Sequence, residues 1–407
     1  MMNILYVNTY YNGGGAENVM RQLYLGLKDE NIHTYCIVGR YQKNVPQDVQ
    51  IAYKNFFGRV FTTIRGTILR NTLLNARQAR KMIVRCIKQN NIDIVHFHNI
   101  HSNYLGLRDI KKIKKHCPNI VITLHDMWAI TGGCAHAFDC DKWKTEFCSH
   151  CDGNDSMKKF PLSSFLFQEK VRALSNSAIK FVVPSFWLKE CCDKSYLKNE
   201  DISVIYNGVS LDDYIVNEKE SMRQKYEIPS NKHILLFAAN GIDNVYKGFK
   251  YLIEALQLLG KKDEYALVII GNKNNVKLEL PFETCQFGYV NSRKMLNEIY
   301  SAADLFILPS VADTLPFTAM EAMASGTPVL AFETGGIPEI VSNDVGWIVE
   351  TGNEKALAKQ IENIFCKDNY EEYIIKQRKC HERIEKLFDE KIMLKQYCSL
   401  YEDLILE

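Results

Sequence analysis

The sequence predicts an α/β protein built from two doubly wound domains in tandem, and three observations lead to this fold class. Short apolar runs alternate with amphipathic stretches, which is the pattern of parallel strands covered by helices on both faces. The alternation stops near residues 200–215 and then begins again. The length of 407 residues also exceeds one ordinary core, since a domain typically takes about 150 residues.

The predicted buried strands of the first half are short apolar runs that end at turns or polar residues. They are residues 3–8, Thr34–Val38, Ile94–Phe97, Ile120–Leu124 and Lys180–Val183. The glycine-rich turn at residues 13–15 follows the first run, and an amphipathic stretch over Ala16–Leu27 follows the turn. This strand–loop–helix unit is typical of the start of a doubly wound sheet.

The second half repeats the pattern. Its predicted strands are Ile234–Ala238, Ala266–Ile270, Leu305–Leu308 and Val329–Ala331. Its predicted helices are Gly248–Leu259, Ser292–Ser301 and Phe317–Ala324, and the mixed-charge segment from about residue 370 to 407 is also predicted to be helical. The Asn207-Gly208 dipeptide favours a turn at the boundary between the domains.

Composition indicates a soluble, cytoplasmic protein. Apolar residues make up 46% and charged residues 24% of the chain, and no uncharged apolar stretch of about 18 residues is present. The first apolar run is too short for a signal peptide and has no basic leader. Thirteen cysteines, an odd number without an export signal, favour free or metal-bound thiols over a disulfide framework.

Charge is distributed unevenly, which suggests an anionic partner for the first half. Residues 1–200 carry 28 basic and 16 acidic residues, and residues 201–407 carry 22 and 32. The segment 49–92 contains nine basic residues, no acid and many interleaved apolar residues. Basic amphipathic helices bind anionic membranes, although a packed helix with a solvated basic face is the simpler alternative. We expect no nucleic-acid binding, because no base-reading module is recognisable.

Two loops have the composition of ligand sites. The turn Gly13–Gly15 precedes a helix, where close backbone approach and the helix N-terminus favour an anion, although a turn without a ligand is equally consistent. The block 304–347 places Asp313 in a loop after a strand and Glu321 on the next helix. Carboxylates at the carboxyl edge of a parallel sheet suit sugar and ribose hydroxyls, whereas a surface acid and a capping acid are the alternative.

A third loop is rich in cysteine. Cys134, Cys140, Cys148 and Cys151 lie within 18 residues, which allows a structural zinc site. A disulfide pair, or thiols that bind nothing, are the alternatives.

Taken together, the motifs resemble those of glycosyltransferase family 4, the retaining enzymes with the GT-B fold. The resemblance spans nearly the whole chain: GGGAE near the start, TLHD at 123–126, VVPSFWL at 182–188, IYNGV at 205–209, KGF at 247–249 and the block 304–347. The cysteine-rich insertion, at about 131–155, resembles a subset of polysaccharide enzymes in this family.

The resemblance implies two Rossmann-like domains that face each other across a cleft. Residues 1–200 would form the acceptor-side domain and residues 201–385 the nucleotide-sugar domain. Residues 386–407 would form a helix that crosses back to the first domain.

The resemblance also implies a set of donor-binding and catalytic residues. Asp313 and Glu321 match a Glu-x7-Glu motif, with the first acid near the sugar and the second on the ribose. Lys247 matches a lysine that neutralises the diphosphate, and His125 a histidine near the reacting sugar. The remaining implied donor contacts are Gly14, Gly15, Tyr289, Val290, Leu315, Pro316 and Phe317.

The chain departs from the family pattern at two positions. Asp313 is one methylene shorter than the usual Glu, and the arginine expected five or six residues before Lys247 is replaced by Gly241 or Ile242. The implied chemistry needs no catalytic metal, because a lysine and backbone amides stabilise the leaving diphosphate.

We therefore expect a retaining hexosyltransferase-type enzyme that moves a sugar from a nucleotide sugar to a saccharide acceptor, carried on a lipid, in cell-surface polysaccharide biosynthesis. Such an enzyme would work peripherally at the inner face of the cytoplasmic membrane. The alternatives are a sugar-nucleotide epimerase or phosphorylase on the same fold, and a non-catalytic sugar-binding subunit.

Overall fold

The computed structural model describes residues 1–28, 31–54, 76–101, 104–144, 148, 163–272, 280 and 282–406. It divides the chain into two compact units. The first unit comprises Met1–Tyr206 together with Met393–Glu407, and the second comprises Asn207–Ile392.

The first unit contains a parallel sheet whose strands are apolar runs buried under helices. Its strands are β1 (Met2–Asn8), β2 (Ile32–Arg40), β3 (Gln50–Tyr53), β4 (Ile94–Phe97), β5 (Asn119–Thr123), β6 (Lys180–Val183) and β7 (Ile202–Val204). Their order across the sheet is β3-β2-β1-β4-β5-β6-β7, and each neighbouring pair is parallel. In the centre, Ile4 pairs with Thr34 on one side and with Ile94 on the other.

Five helices of the first unit connect these strands in the part of the chain that the structure describes. They are α1 (Gly15–Gly26), α2 (Arg77–Asn90), α3 (Leu107–Lys114), α4 (Ser163–Leu174) and α5 (Phe186–Asp193). Each turns an apolar face to the sheet, as α1 does with Val19, Met20 and Leu23. The carboxyl ends of the strands consequently meet at one edge of the sheet.

The second unit repeats this architecture with a six-stranded parallel sheet. Its strands are β8 (His233–Gly241), β9 (Tyr265–Asn272), β10 (Thr284–Gly288), β11 (Leu305–Leu308), β12 (Val329–Phe332) and β13 (Trp347–Val349), in the order β10-β9-β8-β11-β12-β13. Its helices are α6 (Lys219–Lys225), α7 (Phe249–Leu258), α8 (Arg293–Ala302), α9 (Phe317–Ala324), α10 (Ile337–Ile340), α11 (Glu354–Ile364) and α12 (Tyr370–Leu387).

The last helix, α13 (Glu390–Leu406), belongs to the first unit from Met393 onward. It buries Tyr397 and Tyr401. Their hydroxyls hydrogen-bond to Thr123 and His96.

The predicted fold class, with two doubly wound parallel sheets, is confirmed. Among the described helices, none combines the length and the apolar character that crossing a bilayer requires.

Candidate functional site

A lysine and an aspartate form an ion pair at the carboxyl edge of the second sheet. Lys247 ends a 3-10 turn (Val245–Lys247) after β8, and Asp313 lies in the loop after the adjacent strand β11. Lys247 Nζ donates to Asp313 Oδ2 at 2.5 Å, and both side chains keep some solvent access. Open α/β sheets bind ligands at this edge. The structure thus brings two of the residues predicted to bind the donor together.

Two glycines allow these loops to approach each other closely. Gly248 adopts φ +67°, and a Cβ there would lie 1.7 Å from the carbonyl oxygen of Pro309. Gly335 adopts φ +58°, and a Cβ there would lie 1.7 Å from the carbonyl oxygen of Asp313. Only glycine fits both the left-handed backbone and the close contact. These glycines therefore set the position of the Lys247 and Asp313 backbones.

The N-terminus of α9 lies directly after the Asp313 loop. Pro316 precedes the first helical residue, Phe317, and no side chain caps the helix among the described residues. Leu315 is buried beside it. The first amides of a helix without a side-chain cap are donors for an anion or a sugar hydroxyl. The predicted donor amide of Phe317 is one of these, whereas that of Leu315 lies before the helix.

Glu321, which is half-buried, is held by two tyrosines of the second unit. The Tyr300 hydroxyl donates to Glu321 Oε2 at 3.2 Å, and the Tyr214 hydroxyl faces the same carboxylate. Burial raises the pKa of Glu321, while the two hydroxyls act to lower it. Arg293, which forms an ion pair with Asp213, favours the charged carboxylate as well. The arrangement gives a fixed acceptor for hydroxyl groups.

Tyr289 and Val290 lie between β10 and α8, in the stretch predicted to line the base. The Tyr289 side chain is 52% exposed and that of Val290 is 8% exposed. An exposed aromatic ring of this kind is free to stack on a nucleobase. The preceding Gly288 has φ +62° and turns the chain there.

In the first unit, the predicted glycine-rich site is partly occupied by a side chain of the protein. Gly14 and Gly15 are exposed at the start of α1, but the Gly14 amide donates to Glu17 Oε2 at 2.9 Å. Glu17 thus caps the helix with its own negative charge. An anion that binds here would have to displace this carboxylate.

His125 lies after β5 and contacts a second histidine, His98, which follows β4. His98 Nδ1 and His125 Nε2 are 3.0 Å apart, and the rings stack with an interplanar angle of 18°. Burial lowers the pKa of His125 to about 3, and the pKa of His98 is also lowered well below its usual value. Both imidazoles are therefore neutral at physiological pH.

The described part of the cysteine-rich loop does not form a metal site by itself. Cys148 is buried, and its Sγ accepts the Gly132 amide at 3.1 Å; Cys134 and Cys140 are half-buried. Within the described residues no three potential ligands converge on one point. Cys151, the fourth predicted ligand, lies outside the described residues.

A buried lysine anchors the chain next to this loop. Lys170 Nζ donates to the carbonyl oxygens of Trp128 and Thr131, at 2.5 and 2.9 Å, and lies 3.6 Å from the centre of the Trp128 ring. Burial lowers the pKa of Lys170 to about 7. Lys170 thereby ties α4 to the 3-10 turn Met127–Ile130, which follows His125.

The acid-free segment is described only in part. Residues 55–75, which include Arg59, Arg65 and Arg70, lie outside the described residues. The described helix α2 forms a groove of about 510 Å³ with α3 and the chain after it. Six basic residues line this groove: Arg80, Lys81, Arg85, Lys88, Lys112 and His116. Of these, Arg80 and Lys112 both form ion pairs with the buried Asp109.

Sequence reasoning missed His98, Tyr214, Tyr300 and Lys170. The position of His98 at the carboxyl end of a strand is the signal that marks a ligand-facing residue in this fold class. The two tyrosines carried no such signal, because Tyr214 lies in a loop and Tyr300 on an ordinary amphipathic helix. The two tyrosine hydroxyls come close to the Glu321 carboxylate only in the folded chain.

Family models match both halves of the chain. Residues 13–213 match the model described as Glycosyltransferase Family 4, and residues 218–381 match that described as Glycosyl transferases group 1.

Several relatives were found by sequence. The WcaC protein of Escherichia coli, named as a colanic acid biosynthesis glycosyl transferase, is 24% identical over 85% of this chain and 86% of its own length. An uncharacterized 41.2 kDa protein of the Klebsiella pneumoniae cps region is 22% identical over 98% of this chain and 99% of its own. An uncharacterized glycosyltransferase of Methanocaldococcus jannaschii is 28% identical over 47% of this chain, and the match spans 52% of that relative.

Solved structures share the fold. A glycosyltransferase from Rickettsia africae matches 99% of this chain and 98% of its own with a TM-score of 0.70 and 21% identity. Anabaena HepE in complex with UDP matches 99% of this chain and 100% of its own with a TM-score of 0.70 and 16% identity. At these identities the likeness concerns the fold, which is GT-B.

Proposed function

The chain belongs to glycosyltransferase family 4, and we propose that it is a retaining enzyme of cell-surface polysaccharide biosynthesis. It transfers a sugar from a nucleotide-diphosphate sugar to a saccharide acceptor on a lipid carrier. The observation that carries this proposal is the Lys247–Asp313 pair beside the uncapped N-terminus of α9. A cation and free amides at one sheet edge suit a diphosphate.

The Lys247–Asp313 ion pair supports a donor site because a ligand can replace Asp313 as the partner of Lys247 at little cost in free energy. Partly exposed ion pairs stabilise a protein by only about 0–1 kcal/mol. An incoming diphosphate carries more negative charge than Asp313, so Lys247 can turn to it. Asp313 is then free to accept hydrogen bonds from the sugar.

Leaving-group stabilisation follows from the same residues. As the bond between the sugar and the phosphate breaks, charge develops on the diphosphate, and Lys247 and the amides of α9 stabilise that charge. The departing phosphate itself takes the acceptor proton on the same face of the sugar. Glu321 positions the ribose through its fixed carboxylate, and we propose from the family resemblance that His125 contacts the reacting sugar.

The proposed acceptor and its membrane location rest on charge and on the named relatives. A Campylobacter jejuni relative, 26% identical over 51% of this chain, is named for transfer to a diphospho-undecaprenol-linked sugar. The basic groove on α2 suits anionic headgroups, and the protein would reach such an acceptor from the cytoplasmic side of the membrane.

A thermal-shift screen with UDP-, GDP-, ADP- and dTDP-sugars tests the donor class. A ligand at 100 times its dissociation constant adds about 2.7 kcal/mol to the free energy of unfolding. We expect one nucleotide family to raise the melting temperature and the others to leave it unchanged. No response to any nucleotide sugar at millimolar concentration would refute the donor site.

A non-catalytic sugar-binding subunit is the second candidate, and the missing arginine favours it. Ile242 is 4% exposed and packs in the core, so this position supplies no charge to the diphosphate. Donor binding without turnover in the presence of membrane lipid extracts would support this candidate.

A further inference from the structure

We propose that His98 is a positioning residue that keeps His125 as a neutral imidazole with its proton on Nδ1. His125 then offers an N–H donor to a ligand oxygen and does not act as a proton-accepting base. Only the role of His125 at the ligand rests on the proposed function. The pairing of the two rings stands on the geometry of the first unit alone.

The contact between the rings requires a defined distribution of protons. His98 Nδ1 and His125 Nε2 are 3.0 Å apart, so one nitrogen donates and the other accepts. Burial keeps both rings neutral, and two facing N–H groups would repel each other. One of these two nitrogens therefore carries a proton and the other does not, so each ring has one defined tautomer.

His98 cannot move away from this contact. Its backbone amide donates to the carbonyl oxygen of Val7 at 3.0 Å, and its ring is 2% exposed. The ring packs against that of His96 with the centroids 4.3 Å apart.

His96 in turn is fixed at both ring nitrogens. Its Nδ1 lies 2.7 Å from the Tyr401 hydroxyl and its Nε2 lies 2.8 Å from Thr123 Oγ1. The Tyr397 hydroxyl lies 3.0 Å from the same Thr123 oxygen. Helix α13 thus fixes the ring of His96, against which His98 packs.

The second ring nitrogen of His98 decides which ring donates. His98 Nε2 is buried and has no hydrogen-bond partner among the described residues. If His125 donated, the neutral His98 would carry its proton on Nε2, as a buried N–H without an acceptor. Either tautomer leaves Nε2 without a partner, but an orphaned buried N–H group is rarer than an unsatisfied buried acceptor. We therefore assign the proton between the rings to His98 Nδ1, which places the proton of His125 on its own Nδ1.

His125 Nδ1 is the atom left for a ligand. No protein group in the described residues hydrogen-bonds to it, and the side chain is partly exposed. The ionisable groups around the pair are His96, His101, Asp126, Tyr6 and Tyr401. Among them, His96 and His101 disfavour a positive charge on the pair, and Asp126 lies 3.7 Å from His101.

Long-range proton–nitrogen NMR of the ¹⁵N-histidine-labelled protein, without substrate, tests this inference. The His125 signals are assigned by their loss in His125→Gln. We expect His125 to show a protonated Nδ1 and an unprotonated Nε2, with no titration between pH 5 and 8. A protonated Nε2, a mixture of tautomers or a titration near pH 6.5 would each overturn the inference.

Two variants show whether His98 fixes the tautomer of His125 or only fills space beside it. His98→Asn keeps a donor near the place of Nδ1 and should preserve the His125 tautomer, whereas His98→Leu removes the donor. In His98→Leu we expect mixed tautomers and an upward shift of the His125 titration into the observable range. A His125 signal in His98→Leu identical to that of the wild type would refute the role of His98. If His98→Leu does not fold, the wild-type and His98→Asn spectra still decide whether His125 carries its proton on Nδ1. This readout does not depend on whether the protein transfers sugar.

Discussion

Lys247 and Glu321 are the single residues on which the proposed donor site depends most. Lys247 is the cation at the carboxyl edge of the second sheet, and Glu321 is a carboxylate fixed by tyrosine hydroxyls. They serve different parts of the donor, so their removal should have different effects.

Lys247→Ala should weaken nucleoside diphosphate binding and lower kcat by about a hundredfold, because a charged stabiliser of the leaving group is lost. Glu321→Ala should weaken binding of the nucleotide by about tenfold, which is the loss of hydrogen bonds to a charged group. Isothermal calorimetry and initial rates measure both effects. Lys359→Ala, an exposed lysine on α11, is the control. If both variants bind and turn over like the control, the donor site lies elsewhere.

Gly248 and Gly335 provide a second prediction at this scale, with Gly288 as a matched control. All three have positive φ, but a Cβ at Gly288 meets nothing within 4 Å. Gly288→Ala should therefore cost only the left-handed backbone penalty of about 1–2 kcal/mol. Gly248→Ala and Gly335→Ala should cost clearly more, or fail to fold, since they also clash with backbone oxygens. Urea unfolding compares the variants, and equal losses in all three would contradict the close-approach argument.

At the scale of elements, the interior strands could be predicted from the sequence and the edge strands could not. Ile94–Phe97, Lys180–Val183 and Leu305–Leu308 were predicted with the observed bounds. The four strands that were missed, β3, β7, β10 and β13, are the four at the edges of the two sheets. Edge strands are less covered, so short and partly exposed runs such as Trp347–Val349 lack a clear apolar signal.

The candidate site was predictable to the extent that it lies in loops after strands. Asp313 lies in such a loop and Glu321 on the helix that follows it, which the alternation of strands and helices makes recognisable, whereas Lys247 was predicted through the family resemblance. His98, Tyr214 and Tyr300 contact the predicted residues from distant parts of the chain, and a single sequence does not record such contacts.

The buried Lys170 should make the 3-10 turn near His125 sensitive to pH. Its folded pKa of about 7 lies below the usual value of 10.5, so the unfolded chain binds more protons between these values. The free energy of unfolding should therefore rise with pH above about pH 7, by up to about 1.4 kcal/mol per unit, relative to Lys170→Met. Urea unfolding from pH 6 to 8.5 measures the difference. A constant difference between the two proteins would contradict the lowered pKa.

The cysteine-rich loop remains a predicted zinc site. Protein purified without chelator should contain about one zinc per chain, and chelation should lower the melting temperature, since structural zinc contributes to folding. Cys148→Ser should lose the metal, whereas Cys366→Ser, an exposed cysteine in the second unit, should not. Elemental analysis that finds no zinc in the wild type would contradict the prediction.

At the scale of the whole molecule, charge should determine where the protein binds. We expect binding to liposomes that contain anionic lipid and little binding to neutral ones, with weakening at high salt because screening shortens to about 3 Å at 1 M. Changing Lys81, Arg85 and Lys88 to Glu, or Arg59, Arg65 and Arg70 to Glu, should abolish binding in a sedimentation assay and leave nucleotide binding intact.

The control for this experiment is the same charge change in the second unit. Lys355, Lys359 and Lys367 are exposed, and their change to Glu should leave liposome binding unaltered. Equal loss in the control would indicate an effect of net charge alone, and equal binding by all variants would reduce the segment to a packed basic face.

If the proposed function holds, this protein transfers a sugar from a nucleotide sugar with retention of configuration. To measure this directly, the protein is incubated with membrane lipid extract and an isotopically labelled form of the nucleotide sugar that the thermal-shift screen selects. The anomeric centre of the product is then followed by NMR. We expect a labelled lipid-linked saccharide only when the extract is present, release of nucleoside diphosphate, and the same anomeric configuration in donor and product. Conversion of the donor without an acceptor, or a product with the inverted configuration, would contradict the proposed function.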